Sequence, residues 1–511
     1  MRRKIVILMM DIMLMVTMLM MSANVFAESL PTYGSDEGII VFELNSGDIV
    51  TMQNESKQMY PASTTKLLTA LVAVEHGDLN ENITIGDEVY DIDSDSSVAD
   101  LAAEEVISMR DLLYGLLLPS GNDAANVIAV NVGRKISGNT EATDDESYDA
   151  FLAAMNAKAQ SLEMTNSHFT NPHGLQDSDH YTTAEDMLKL ARAAFSDQTI
   201  ASITRTKMHE LTTNKATHTW YNTNMLLYAS FDEFPEDYQT LYGLSGDNPD
   251  FNGYANSGKT GTTEEAGSCL VFQAEGNGKK MIGVILNSTE DLLYNEANET
   301  INTVIKDYDF ITWTQDTDIQ NFFKQVKIDN YHVFDGSKLD LRTSEPLITL
   351  VRSDETDNYS SKITWDDTKV MGGEDLIALK EDIDEGEQVG QIEIYNDDNL
   401  VESAPLYANN KMAMRSFIDY PIIYWYVTIV LILLLLAIGR IAFVHFMRKN
   451  NIRYKKIKIK STSDQSQTRK GSSKQTSARR RQSSGSSKRS ASQPNSSRRK
   501  NSNDKRNRQN R

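Results

Sequence analysis

Ser63-Thr64-Thr65-Lys66 sets a hydroxyl and an amine three residues apart at the start of an apolar run. A serine hydroxyl is a weak nucleophile at its ordinary pKa and needs a base within reach. In a helix, an (i, i+3) lysine lies one turn from the serine, and the free N–H groups of the helix start can face a developing oxyanion. Lys66 accepts the proton only if it is neutral for part of the time, which burial or a second cation brings about by lowering its pKa. Lys259 is the candidate second cation. The spacing alone says little, because Ser497-Arg498-Arg499-Lys500 repeats it in the polar C-terminal stretch.

Two further groups bear on the same chemistry. Ser120-Gly121-Asn122 follows Leu116-Leu117-Leu118-Pro119, a buried run broken by proline, which puts its polar groups at the mouth of a core. Ser137-Gly138-Asn139 repeats the triplet and reads as a turn. Lys259-Thr260-Gly261-Thr262 opens a strand-like stretch, where an ammonium and a hydroxyl can grip a substrate carboxylate and Gly261 lets a substrate backbone come close. Taken singly, each is a turn or a strand end.

The elements that must position these groups are legible from periodicity. Leu67, Leu68, Leu71, Val72 and Val74 give Thr65 to Glu75 a helical pattern that His76-Gly77 ends. A second helix is predicted from Met109, and a third from Thr183 with Glu185 and Asp186 in its first turn. Cys269 to Phe272 and Met281 to Leu286 flank Gly276-Asn277-Gly278, which predicts a hairpin and an antiparallel sheet. No internal repeat is visible. From Glu28 to Asp316 helical and strand-like patterns alternate. From Thr317 to Tyr407 short β-type runs, such as Leu347 to Val351 and Gln391 to Ile394, sit between acidic turns. The expectation is an α/β domain over 28–316 followed by a small β-rich domain over 317–410.

Ser63, then Ser120 57 residues on, then Lys259 137 residues beyond Asn122, follow the order of the Ser-x-x-Lys, Ser-Asp-Asn and Lys-Thr-Gly set of penicillin-binding proteins and class A β-lactamases. From about Ser35 to Asn287 the sequence resembles the low-molecular-mass penicillin-binding proteins that act as serine-type D-alanyl-D-alanine carboxypeptidases. The resemblance runs through Pro61 to Lys66, Pro119 to Ala125, Asn171-Pro172-His173-Gly174-Leu175, Lys259 to Thr262 and Ala266 to Leu270. More faintly, Gly386 to Ala408 is similar to that family's β-rich C-terminal domain.

The resemblance implies an acyl-enzyme hydrolase of the transpeptidase/β-lactamase fold, mixed α and β with an antiparallel sheet. It implies that Ser63 attacks the carbonyl between two D-alanines, that Lys66 takes its proton, and that the N–H groups of Ser63 and Thr262 hold the oxyanion. Ser120 would relay a proton to the leaving amine, Asn122 would hold the substrate amide, and Lys259 with Thr260 would bind the terminal carboxylate beside Gly261. The implied substrate is the peptidoglycan stem peptide ending in D-Ala-D-Ala, with β-lactams as acylating inhibitors. Other readings use the same residues: a β-lactamase, for which the acidic base of class A enzymes cannot be placed here, or a D,D-endopeptidase. A non-catalytic cell-wall scaffold is a reading of another class.

The 511 residues allow two or three domains and carry a formal net charge of −21. That average hides two bodies of opposite sign. Arg448 to Arg511 holds 22 Lys/Arg against Asp464 and Asp504, leaving 29 basic and 70 acidic residues upstream. The single cysteine, Cys269, excludes intramolecular disulfides and Cys-rich zinc sites and reads as an inert buried thiol. No Walker-type or dinucleotide glycine loop and no His-Glu-x-x-His occurs, so no cofactor or metal is expected. His173, His180 and Tyr181 read as structural neighbours rather than catalytic groups.

Arg2, Arg3 and Lys4, an apolar stretch and Val25-Phe26-Ala27 make residues 1–27 a secretory signal peptide, with Asp11 leaving an uncleaved anchor as the alternative. A second apolar segment from Pro421, flanked by Tyr424, Trp425 and Tyr426 and by Arg440, predicts a transmembrane helix over 421–446. Many relatives of the family lie on the bilayer through an amphipathic helix, whereas this chain is expected to cross it. Residues 447–511 are too polar to bury surface and are expected to be a disordered cytoplasmic tail. The positive-inside rule then puts the acidic body on the extracellular face. Anionic inner-leaflet lipid is the tail's expected partner, with a merely solvated tail as the alternative, and without interleaved aromatics no nucleic acid is expected.

Overall fold

Side chains of a strand alternate between its two faces, and in β1 (Gly38–Glu43), buried along its length, both faces meet apolar surroundings. Ile40 and Phe42 enter one hydrophobic core while Ile39 and Val41 enter another. After β2 (Ile49–Gln53) come two small hairpins, β3 (Asn82–Thr84) with β4 (Val106–Ser108) and β5 (Met208–Thr212) with β6 (Thr217–Tyr221). Then β7 (Ala255–Thr263), β8 (Gly267–Gly276) and β9 (Lys279–Ser288) complete a five-stranded antiparallel sheet in the order β2-β1-β9-β8-β7. Asn277 and Gly278, with φ of 49° and 78°, close the predicted hairpin. Positive φ at both central residues matches the right-handed strand twist. β7 is left as an edge strand.

The structure is a computed structural model that describes residues 29–449 apart from 95, 374 and 375. The signal peptide read at 1–27 and the tail from residue 450 onward lie outside the described residues.

Helices cover both faces of the sheet. One core is built from α1 (Lys66–His76), α2 (Met109–Leu117), α3 (Asn122–Ser137), α4 (Asp144–Ser161) and α5 (Ala184–Ser196), with Cys269, Val271, Ile282 and Val284 of the sheet. α1 is buried on every side from Lys66 to Ala73. A helix without a polar face belongs inside, and this one carries Lys66 with it. Thr183 caps α5, Ser108 caps α2, and Thr143 with Glu146 forms a capping box on α4. α6 (Gln198–Thr204) and α7 (Glu236–Tyr242) follow, and α8 (Glu290–Asp307) packs Leu293, Ala297, Ile301 and Val304 on the opposite face.

The rest of the body is mainly strand, with one short helix, α9 (Thr317–Phe323). Its strands are β10 (Tyr308–Thr312), β11 (Val326–Ile328), β12 (Lys338–Leu339), β13 (Leu341–Thr343), β14 (Ile348–Arg352), β15 (Tyr359–Trp365), β16 (Val370–Gly372), β17 (Leu376–Leu379), β18 (Gln388–Asn396) and β19 (Asn399–Ala408). Two four-stranded sheets, β12-β11-β17-β16 and β13-β19-β18-β15, enclose Val326, Leu339, Ile377, Ile392, Ile394 and Leu406. β14 pairs instead with β10, and Leu350 N donates to Asp48 Oδ2 at 2.6 Å. A ladder therefore crosses the composition change at 316/317.

α10 (Asp419–Ile423) precedes α11 (Trp425–Lys449), and Tyr424, with φ −104° and ψ 41°, breaks the helical geometry between them. Twenty-five residues at ~1.5 Å each exceed a hydrocarbon core of ~30 Å. Among the described residues, α11 is the one helix long and apolar enough to cross a membrane.

Glu296 of α8 is buried near Glu37, and Ser288 Oγ donates to its Oε2 at 2.8 Å. Burial first, and the negative charge of Glu37 as well, push the Glu296 carboxyl up to about 7. A raised carboxyl favours the protonated fold. Its contribution is fully present below the unfolded value of ~4.3 and is lost as pH rises through about 7. The thermal midpoint of the body is therefore expected to fall between pH 5 and pH 8.5 by calorimetry, and Glu296→Gln should flatten that slope.

Candidate active site

The chain enters α1 through one 3-10 turn, Ala62–Thr65, which holds Ser63 at the helix mouth. Ala62 takes a positive φ of 47°, a conformation costly for a residue with a Cβ. Thr64 Oγ1 donates to Pro61 O at 2.6 Å and fixes the turn. One turn on, Lys66 Nζ lies 2.9 Å from Ser63 Oγ, 2.7 Å from Asn122 Oδ1 and 2.8 Å from His173 O.

The identity of those partners decides the proton inventory. A carbonyl and an amide oxygen only accept hydrogen bonds, whereas a serine hydroxyl can donate. A neutral lysine amine has two hydrogens for Asn122 Oδ1 and His173 O, and its lone pair then faces the Ser63 hydroxyl. Burial, followed by the charge of Lys259, lowers the Lys66 pKa well below its ordinary value, against a weaker opposing pull from Asp123. With its oxygen engaged by Lys66, the Asn122 amide keeps its NH₂ for an incoming carbonyl.

Ser120 sits just ahead of α3 with φ 65°, again positive. Gly121 has no room for a Cβ, which would stand 2.8 Å from Gly115 O and 2.6 Å from Asp123 Oδ1. Asp123 ties this corner down. Its carboxylate accepts from Ala99 N, Leu101 N and Ala124 N at 2.8–3.1 Å, while Asn122 N donates to Ser97 O at 2.8 Å. Lys259 Nζ donates to Ser120 Oγ at 2.9 Å and to Thr260 O at 2.7 Å. Burial alone lowers the Lys259 pKa to about 7.

β7 faces the nucleophile at close range. A Cβ on Gly261 would lie 2.7 Å from Ser63 N and 2.9 Å from Thr64 N. An edge strand leaves outward N–H groups unpaired, so Thr262 brings a strand edge to the helix mouth that carries Ser63. Thr260 Oγ1 shares a hydrogen bond of 2.5 Å with Thr223 Oγ1, and Thr223 N donates to Leu118 O.

The Asn171–Leu175 loop forms the remaining wall. Gly174, with φ 93°, passes so near Ala62 that a Cβ would stand 1.8 Å from its carbonyl oxygen. Asn171 Oδ1 accepts from Gly174 N at 2.6 Å and shapes the bend. Burial, then Lys66, hold His173 down at about 3, so its ring is neutral and its carbonyl carries its role. Thr170 N donates to His180 Nδ1, which leaves the proton on Nε2 to meet Thr65 Oγ1 at 2.9 Å. Cys269 is fully buried, and burial pushes its thiol up to about 12, where it is inert.

All eight residues singled out from sequence, Ser63, Lys66, Ser120, Asn122, Lys259, Thr260, Gly261 and Thr262, converge on this cleft. Asp123, Thr223, Asn171 and the carbonyl of His173 were missed. Asp123 carried a local signal, as an acid in the first turn of a helix, and Asn171 and His173 lay in a segment that carried the resemblance without a role being assigned to them. Ser137-Gly138-Asn139 instead ends α3, with Gly138 left-handed at its C-terminus.

A family described as D-alanyl-D-alanine carboxypeptidase matches residues 24–234, and one described as penicillin-binding protein 5, C-terminal domain, matches residues 322–413. A D-alanyl-D-alanine carboxypeptidase of Streptomyces sp. (strain K15) is 31% identical over 281 residues, covering 53% of this chain and 86% of that protein. D-alanyl-D-alanine carboxypeptidase DacF of Bacillus subtilis is 26% identical over 388 residues, covering 75% and 87%. The crystal structure of DacD from Francisella tularensis covers 77% of this chain and 99% of its own, with TM-score 0.53 at 21% identity, a likeness of fold.

Gly261→Ala should drive β7 away from Ser63 N. Because a shift of about 1 Å can cost ~100-fold, labelling of Ser63 by benzylpenicillin, followed by mass spectrometry, is expected to slow by about that factor. The melting temperature should change little.

Proposed function

The chain belongs to the D-alanyl-D-alanine carboxypeptidase family, and from that premise we propose how its own residues carry out the reaction. The protein is a serine-type D-Ala-D-Ala carboxypeptidase of the penicillin-binding class, a hydrolase that acts on peptidoglycan stem peptides. In our reading residues 28–316 form the catalytic domain, and 317–410 form a β-rich support joined to it through β10 and β14.

Ser63 Oγ attacks the carbonyl carbon between the two D-alanines as its proton passes to Lys66 Nζ. The N–H groups of Ser63 and Thr262 receive the oxyanion. As the C–N bond breaks, Ser120 hands a proton to the departing amine and regains the one that Lys66 took from Ser63, which leaves Lys66 neutral and Lys259 charged. Asn122 NH₂ donates to a substrate carbonyl, and Lys259 with Thr260 holds the terminal carboxylate where Gly261 lets the peptide approach. Water then attacks the Ser63 ester with Lys66 again as base, releasing the shortened peptide. The observation that carries this reading is the Lys66 amine, 2.9 Å from Ser63 Oγ with both its hydrogens claimed by obligate acceptors.

For location we propose a single-pass membrane protein. α11 would be its span, the body would face outward, and the basic tail would lie against anionic lipid on the cytoplasmic side. Arg448 and Lys449 in the last turn of α11, against the acidic body, support that orientation.

Mass spectrometry of the full chain in detergent tests the catalytic reading. A β-lactam adduct is expected on Ser63, together with loss of one alanine from a peptide ending in D-Ala-D-Ala. Both should vanish in Ser63→Ala and slow by ~10²–10⁴ in Lys66→Ala. An adduct that survives Ser63→Ala sinks the assignment.

Lys259 adds a pH signature. Its charged form grips the carboxylate, so kcat/KM should decline as pH rises through about 7. Lys259→Arg, charged throughout, should move that falling limb out of the accessible range.

A further inference from the structure

A lone apolar side chain on a protein surface needs no explanation. Phe417 and Phe334 are not such a case. Among the described residues they are the two most exposed large apolar side chains, at 81% and 76%, and they grow from one point of the β-rich domain. That point is the buried carboxylate of Asp419. Val333 N, 86 residues away in sequence, donates to its Oδ1 at 3.2 Å, and Ser416 N donates to its Oδ2 at 2.6 Å. Each phenylalanine is the residue that follows one of these two donors. The two segments are laced together further back as well. His332 N donates to Ala413 O at 2.8 Å, Ala413 N to Asp335 Oδ2 at 3.0 Å and Arg415 N to Asn330 O at 2.5 Å, and Tyr331 bridges Met414. The His332 ring stands 5.6 Å from that of Phe334. Ile418 and Tyr420, beside Asp419, are exposed too.

The continuation of the chain indicates what covers these side chains. Asp419 opens α10, whose five residues advance about 8 Å at ~1.5 Å each. Tyr424, Trp425 and Tyr426 come next. Trp and Tyr collect at the level of lipid headgroups, at the edge of the hydrocarbon, and the headgroup layer is itself about 5–8 Å deep on each side. The Asp419 knot thus lies within about one such layer of the aromatic belt. Its backbone suits that depth. Val333 N and Ser416 N are already taken by Asp419, so a retreat from water strands neither of them.

We propose that Phe334, Phe417 and Ile418 form an apolar foot that enters the headgroup–acyl boundary of the outer leaflet, which gives the β-rich domain a hold on the bilayer besides its span. The inference rests on the reading of α11 as that span. The partner is the lipid surface itself, met through apolar contact rather than charge. Phe334 belongs to this contact although it lies far from α11 in sequence, because Asp419 brings its loop to the start of α10.

The test uses the full chain in phosphatidylcholine nanodiscs, spin-labelled at one introduced cysteine in each of Phe334→Cys, Phe417→Cys, Leu400→Cys and Leu434→Cys. Cys269 is fully buried and stays unlabelled. Leu400 is exposed near the far end of β19, ~25 Å from Ala408 at ~3.3 Å per residue, and serves as the control in water. Leu434 lies inside α11 and reports the span. Collision of the nitroxide with oxygen and with a water-soluble nickel chelate gives its depth. Labels at positions 334 and 417 are expected about 5–10 Å below the bilayer surface, shielded from the chelate, with the label at 400 fully accessible to it. Phe334→Asp should lift the label at 417 back into water while Ser63 acylation by benzylpenicillin, which reports an intact fold, stays unchanged. Chelate access at 334 and 417 equal to that at 400, or a depth at 417 that Phe334→Asp leaves unmoved, overturns the foot while a label at 434 in the hydrocarbon keeps the span. A label at 434 that stands in water overturns the span, and the foot with it.

Discussion

Everything in this cleft depends on keeping a lysine amine away from water. Lys66 and Lys259 are both buried, and their desolvation and mutual repulsion disfavour two charges at once. Such a group is tolerable only where its hydrogen bonds are complete. Asn122 Oδ1 and His173 O complete them for Lys66, and they arrive from separate elements, α3 and the Asn171–Leu175 loop. The helix start, the loop and β7 must therefore close together before the nucleophile has a base. This ties activity to intact tertiary packing.

That closure is accompanied by local backbone strain. Ala62 and Ser120, on either side of the cleft, both hold positive φ, and each neighbours a residue that must be aimed. Such conformations cost of order 1–3 kcal/mol each and persist where the surroundings over-determine them. The surroundings do so here. Gly174 packs its backbone onto the Ala62 carbonyl, and the Asp123 carboxylate gathers three N–H groups around the Ser120 corner. Asp123 thus contributes without approaching substrate, by holding the start of α3 where Asn122 meets Lys66.

The same economy appears where the two cores meet the sheet. Cys269 could not have been a disulfide partner, and buried in β8 it serves as packing beneath both the Tyr60 segment and the β7–β8 turn. β14 leaves the two β-rich sheets and pairs with β10, so the C-terminal strands are stitched to the end of α8 by a ladder rather than only by a linker. A carboxylate near β2, that of Asp48, completes the joint at Leu350 N.

Local features were legible in the amino-acid order because they depend on short separations. The 3.6-residue period marks α1 from Leu67, Leu68 and Leu71, and an (i, i+3) spacing brings Lys66 to Ser63 without further help. The Gly276-Asn277-Gly278 turn announces its hairpin, and the apolar run that follows the aromatic cluster at Tyr424–Tyr426 announces α11. What remained hidden involves partners far apart in the chain: Asn122 is 56 residues and His173 107 residues from Lys66, and the His173 contribution is a carbonyl oxygen common to every residue. Likewise, Ser120-Gly121-Asn122 and Ser137-Gly138-Asn139 are the same three letters at opposite ends of one helix. Order and spacing relative to Ser63 and Lys259 favour the first copy, but only the tertiary structure supplies the reason, because a hydrogen bond to a buried amine is decided by which helix end faces the cleft, and no triplet encodes that.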